Sequence, residues 1–470
     1  MSEQSPEKSA PSQPRVIGLA GGLAIVMGSM LGIGIFLTPS QVATHLPSPG
    51  LYLLAWAFGG LIAFAGAVAY AELGTRFPEA GGDFVFLREA FGESLSFAAG
   101  WVLFVGVFTG SVATMAVPLA QFQLPVLLGP AISIDPSQTL FSLGFVELTV
   151  ARTMGIAIIA LLTVMNILGT RLSAGAQVAL TGIPVAVLAL GALVIFATTS
   201  GAAVSTPIPT ESAPAISFGR AVLAVYFAYA GWNAIAYVGG EMKDPGKTIP
   251  LSLLGGTAAI TGLYLLLAGV FVFVLGVDGV QQTIETGTAT AQAAGGDTTA
   301  YLVTALIAVA LIGSLNGTVL AGGRVAWAMA RSGALAPSMG RLHKRLKTPA
   351  PALLLQGLLA ALFVLTGTFE ILLELTSIAM LVMGALTMVA LFRIRRRDGP
   401  HAPYQATFYP VLPLFFLITS LVVIGANIYR AVSPDEGFTA DSVYPLLGLA
   451  IFAITWAARS AMLARRDGGC

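Results

Sequence analysis

The segment GSMLGIGIF, residues 28–36, sets Gly28, Gly32 and Gly34 inside a long apolar run, and a later run, YFAYAGWNAIAYVGGEM, sets Gly231 among aromatic residues. Glycine weakens a helix interior, so both runs can break there. A broken helix leaves N–H and C=O groups without intrahelical partners, a state tolerated at membrane depth only where those groups line a cavity. Freed N–H groups at a half-helix start attract an anion, and freed carbonyls at a half-helix end attract a cation. A ligand bearing both charges close together, such as an α-amino acid, satisfies both sets. Gly28 and Gly32 alone fit a simpler reading, a GxxxG helix contact. The second interruption, about 200 residues later, favours paired breaks at corresponding positions of two halves, with a site at the membrane midplane.

The elements that must position these glycines are apolar spans. The chain has 470 residues, 56% apolar and 10% charged, far from the roughly 25% charge of a soluble domain. Windows long enough to cross a bilayer number twelve, which predicts an all-α integral membrane protein. Residues 1–15 form a polar tail, 16–199 carry spans 1–5, 217–393 carry spans 6–10, and 409–463 carry spans 11–12. Of the 23 Lys and Arg residues, 19 fall on the side of the N-terminus, so the positive-inside rule places both termini in the cytoplasm. Stretches 125–150, 200–216 and 277–299 are rich in Gly, Ser, Thr and Ala and read as external loops.

Other chemistries find little support. Net charge is +1, which offers nothing to nucleic acid. The single cysteine, Cys470, excludes an internal disulfide framework, and His45, His343 and His401 fall in loops. With no Asp, Glu, His or Cys at midspan, an intramembrane enzyme is disfavoured; no metal or cofactor is expected.

Four stretches carry a resemblance: GSMLGIGIFLTPS, YAELGTRFPEAGGDFVFLREAFG, FAYAGWNAIAYVGGEMKDPGKTIPLS and GSLNGTVLAGGRVAWAMARSGALAPSMGRLHKRLKTPAPAL. They resemble the amino acid-polyamine-organocation (APC) superfamily, nearest to the L-type amino acid transporters and their bacterial relatives. The resemblance implies a leucine-transporter (LeuT) fold, a 5+5 inverted repeat with helices 1 and 6 discontinuous. It further implies a substrate carboxylate at the amides of Gly32, Ile33 and Gly34, and an ammonium at carbonyls near Met30, Phe227 and Ala230. Phe227 would be the gating aromatic. Ile33 stands where relatives often have a small polar residue, so a hydroxyl contact is lost. Animal L-type transporters pair with a glycoprotein through an external cysteine; residues 125–150 have none, and no disulfide-linked subunit is expected. A bacterial inner membrane is the expected location.

The lack of a midspan acid favours neutral substrates, because an unpaired cationic side chain in a low-dielectric pocket is strongly disfavoured. Spans 3, 6, 8 and 10 would enclose the side chain, with Thr109, Gly110 and Ser111 small, and with Asn233 and Asn316 either ligand contacts or helix-bridging groups. Relatives keep a lysine in span 5 where this chain has Pro184, which removes the obvious proton-responsive group. Exchange or facilitated movement follows, against a proton-coupled symporter, a symporter using a sodium ion at span 1 carbonyls and Ser314, or a non-transporting sensor. Glu241, at the cytoplasmic end of span 6, could tie down the moving inner half by ion pairing. RIRRR at 393–397 reads as a stop-transfer and anionic-lipid contact.

Overall fold

A computed structural model describes residues 14–129, 135–143, 146–199, 214–366, 369–432 and 452–462. The tail before residue 14, most of the 200–216 stretch, residues 443–451 and 463 of span 12 (443–463) and Cys470 lie outside the described residues, as do the side chains of Glu370 and Glu374. Eight described helices are long and apolar enough to cross a membrane, and three shorter apolar ones, Ser217–Ala228, Ala350–Thr366 and Val411–Ala426, accompany them. Span 2 runs Pro49–Arg76, span 4 Val150–Leu168, span 5 Thr170–Thr198, span 9 Ala350–Thr366, span 10 Phe369–Asp398 and span 11 Val411–Val432. Leucines and valines face outward along spans 4, 5, 9 and 11, as Leu161, Leu190, Leu358 and Val422 do. Small residues fill the interior, where glycines let helices approach closely.

Span 1 is helical over Leu19–Met30, opens at Leu31–Ile33 and resumes over Gly34–Leu37. Span 6 runs Pro214–Ala228, turns through 229–233 and resumes over Ala234–Tyr237. Gly231 takes φ 97° at this turn, a conformation that costs other residues free energy. Both interruptions lie in the middle of the molecule and touch. A Cβ added at Gly231 would sit 2.4 Å from the Ser29 carbonyl oxygen, and one at Gly34 would sit 2.4 Å from Ala228 Cα.

Span 3, Glu93–Leu128, contains a π-helical stretch at Val102–Thr109, a device common at functional sites. Spans 4 and 5, Val150–Leu168 and Thr170–Thr198, are joined by Gly169 alone. Between spans 2 and 3 the RFPEAGGDFVFLREAFG segment is largely a short helix, Asp83–Phe91, with Phe84, Val85, Phe86 and Leu87 buried. It tucks beneath the bundle: the Gly81 amide donates to the Tyr237 carbonyl at 3.0 Å. Gly82 has φ 52°, and a Cβ there would lie 2.5 Å from the Tyr237 ring.

Two external stretches differ from expectation. Residues 277–299 are mostly helical: span 7 (Pro245–Gln281) turns at Gly276 and span 8 (Thr286–Arg331) at Gly296, both at positive φ. Glu285 caps the start of the latter, its carboxylate accepting from the amides of Gly287 and Thr288. The glycines are corners between helices, and the Ala/Thr-rich sequence between them propagates helix. Within 125–150, Thr139–Leu143 and Val146–Thr149 pair as an antiparallel hairpin.

At the other end, Glu72 is fully buried and accepts from Arg76, Arg395 and the Ala406 amide. Arg395 also stacks 3.7 Å above the Tyr409 ring. This corrects the lipid-contact reading of RIRRR at Arg395: the buried carboxylate turns that arginine inward, because an unpaired buried charge is strongly unfavourable.

Candidate functional site

A cavity lies where the two interruptions meet. Of the residues expected from the sequence, Met30, Gly32, Ile33, Gly34, Phe227, Ala230, Asn233 and Ser314 border it. Glu241 does not; it sits below. Span 3 contributes Leu103, Val107 and Phe108, span 8 contributes Gly317 and Thr318, and span 10 contributes Met380 and Met383, so most of the wall is apolar. Tyr70, Tyr237 and Asp83 close the polar edge.

The break in span 1 presents donors. Among the described residues, the N–H groups of Ile33, Gly34 and Ile35 have no protein acceptor, while Phe36, Leu37 and Thr38 already bond back to Ile33 and Gly34. An anion at a half-helix start meets such amides directly. The carbonyl side is more occupied than the sequence suggested. Met30 O accepts from the Gly32 amide at 2.7 Å and from the Tyr264 hydroxyl at 2.5 Å. Tyr264 also reaches Ala228 O at 3.1 Å, and Phe227 O accepts the Ala230 amide at 3.0 Å. Span 7 therefore braces the carbonyl ends of both interrupted helices. A tyrosine in a helix outside the broken pair carries no local sign of that reach.

Ser314 donates toward Ser29 O and Met115 Sδ, each at 3.3 Å, so its hydroxyl serves the break in span 1. Of the three small residues in span 3, only Ser111 borders the cavity. Thr109 bonds back to Phe104 O at 2.7 Å, as the π turn allows, and Gly110 packs on Thr376 of span 10. Asn316 bridges helices: it donates to Gln177 Oε1 at 2.6 Å and accepts from Asn166 and Ser173. Gln177 and Thr181 of span 5 reach Ala24 O of span 1 at 3.4 and 3.2 Å. Pro184, one turn further, is buried inside the same helix.

The acid at the cavity, Asp83, belongs to no span: it starts the short helix between spans 2 and 3, where a midspan pattern does not reach. Its carboxylate is buried and accepts from Tyr70, Tyr237 and Thr387, the last at 2.5 Å. The cavity therefore has an acidic neighbour contributed by a linker. Its sequence signal was the GGD triplet, in which Gly82 removes the Cβ that would strike Tyr237.

Below the cavity, Glu241 and Arg324 form a fully buried pair at 2.7 Å. Arg324 donates further to Thr170 Oγ1 at 2.8 Å and Leu320 O at 3.1 Å. The Glu241 carbonyl accepts from Val16 and Ile17, both at 2.9 Å. The pair thus ties together the start of span 1, the end of span 6, span 8 and the turn between spans 4 and 5.

The sequence is similar to those of known amino acid transporters. The serine/threonine exchanger SteT of Bacillus subtilis (strain 168) is 29% identical over 416 residues, 88% of this chain and 91% of the relative. The human b(0,+)-type amino acid transporter 1 is 26% identical over 437 residues, 90% of this chain and 85% of its own. The mouse Asc-type amino acid transporter 1 is 27% identical over 431 residues, 88% and 78%. Residues 17–455 match the amino acid permease family, so this multi-pass membrane protein belongs to the amino acid permeases of the APC superfamily.

Proposed function

We propose that the protein exchanges neutral L-amino acids across the cell membrane by alternating access, with residues 16–199 and 217–393 as inverted repeats of a twelve-span LeuT-type fold and both termini in the cytoplasm. The observation that carries this reading is the pair of touching interruptions, with the unpaired amides of Ile33 and Gly34, two residues that border the cavity. Those amides receive the substrate carboxylate. The ammonium lies toward the carbonyl ends near Met30 and Ala230, and Phe227 covers the ligand. Exchange relatives such as SteT support antiport. Span 5 adds support: side chains of Gln177 and Thr181, and no ammonium, meet span 1.

Closure on the cytoplasmic side rests on the Glu241–Arg324 pair and on the strand-like contact of Val16 and Ile17. Breaking a buried pair by removing one partner typically costs about 3–5 kcal/mol, enough to bias a two-state equilibrium heavily. The test uses proteoliposomes loaded with unlabelled serine, alanine or leucine, with no sodium or pH gradient. External labelled substrate is expected to accumulate only when the lumen holds substrate. Accumulation that needs an ion gradient would replace exchange with symport, and saturable binding without accumulation would make the protein a sensor.

A further inference from the structure

Hydrogen-bond polarity at the cavity's edge points to selectivity. Among the described lining residues Asp83 is the only acid, and its partners are hydroxyls from three helices: Tyr70 of span 2, Tyr237 of span 6 and Thr387 of span 10. A carboxylate only accepts, and a phenol has a single proton to give. Tyr237 spends that proton on Asp83 Oδ2. Its oxygen can then only accept, and the group it meets is the Asn233 amide nitrogen, at 3.2 Å. Asn233 is therefore held with Nδ2 toward Tyr237. Its Oδ1 has no protein donor among the described residues, and Asn233 borders the cavity. A carboxamide free to turn would offer either end; this one has its orientation set by the polar edge of the cavity. The ring of Phe108 lies edge-on to Tyr237, centroids 4.7 Å apart, and restricts the phenol's swing.

We infer that Asp83, acting through Tyr237, is a positioning residue that fixes Asn233 with its amide oxygen toward the ligand and so favours substrates whose side chain donates a hydrogen bond, a hydroxyl amino acid over its alkyl counterpart. The inference rests on the cavity being the amino acid site. One neutral hydrogen bond contributes on the order of 1 kcal/mol, about fivefold in affinity. A neutral alkyl side chain leaves the amide oxygen unpaired; an acceptor-only side chain fares no better.

The experiment is competition in proteoliposome exchange, reading the half-inhibitory ratio of alanine to serine and of 2-aminobutyrate to threonine. Wild type is expected to favour the hydroxyl member of each pair by about fivefold or more. Tyr237→Phe removes the acceptor for Asn233; in Asp83→Asn the one remaining oxygen is held by the two hydroxyls of Tyr70 and Thr387, which turns an NH2 donor toward Tyr237; both should bring the ratios to within about twofold. Tyr70→Phe deletes a bond to the same carboxylate yet leaves the Asp83–Tyr237–Asn233 chain intact, and should keep the wild-type ratios even if exchange slows. A wild type without preference overturns the inference, and so does a Tyr237→Phe variant that retains it. Should Asp83→Asn fail to fold, Tyr237→Phe alone decides the matter. Absence of any amino acid exchange in the wild type would instead defeat the transport reading itself.

Discussion

Gly34→Ala is the sharpest perturbation of the proposed cradle. The added Cβ would lie 2.4 Å from Ala228 Cα and 2.9 Å from its Cβ. Both are stiff parts of span 6, with no side-chain rotation to relieve them. Reaching an ordinary contact near 3.4 Å requires the two interrupted helices to separate by about 1 Å, and overpacking of that kind costs about 1–3 kcal/mol. If the cost falls on the substrate-binding arrangement, affinity drops about 5- to 150-fold. Gly32→Ala is the internal control, because its Cβ would meet Ser314 Oγ at 3.2 Å and Met115 Sδ at 3.7 Å, groups that can rotate aside. It should stay within about threefold of wild type. The assay is equilibrium binding of labelled serine to detergent-purified protein, with thermal unfolding confirming that each variant is folded. Equal losses at the two positions, or a Gly34→Ala variant that binds normally, would refute the packing argument and return the glycines to a role at the amides alone.

Three further outcomes are expected. Phe227→Ala should slow exchange more than it weakens binding, measured as turnover against the dissociation constant, since a covering ring acts on the closing step; proportionate losses would remove Phe227 from the gate. Arg324→Met leaves Glu241 buried and unpaired, and should cost about 3–5 kcal/mol. Melting temperature should fall, and a cysteine placed at Ile17 should react faster with a membrane-impermeant thiol reagent from the cytoplasmic side; an unchanged labelling rate would exclude the inner tie. Tyr264→Phe removes a hydroxyl whose single proton is within reach of Met30 O and Ala228 O, about 1 kcal/mol, and should weaken binding of every substrate alike; a change in rank order would place Tyr264 in the side-chain compartment instead.

Local signals were legible where the chain's own chemistry defines the structure. Gly32, Gly34 and Gly231 marked the interruptions because glycine spacing inside an apolar run is visible without any partner. Residues 277–299 misled for the converse reason: their Gly, Ala and Thr looked like loop composition, whereas Gly276 and Gly296 are single corners and the Glu285 carboxylate starts a new helix between them. Asp83 and Tyr264 were hidden by distance. Beside Asp83 only the GGD triplet marks a close approach, nothing near Tyr264 hints at the carbonyls it meets, and only the folding of the 77–92 linker under the bundle brings Asp83 to the cavity. Glu241 stood out as a charge at a helix end. Its partner Arg324 lies 83 residues further on, beyond the reach of any local pattern.

The hydroxyl of Tyr264 lies within reach of a carbonyl on each severed rod and so pins both to a third helix, which bends only beyond that contact, at Gly276. In the proposed alternating-access cycle, spans 1, 6 and 7 would travel as one plate around the cargo. The receptacle would then keep its shape while its surroundings rock, and the passenger would meet the same contacts whichever face of the membrane is open.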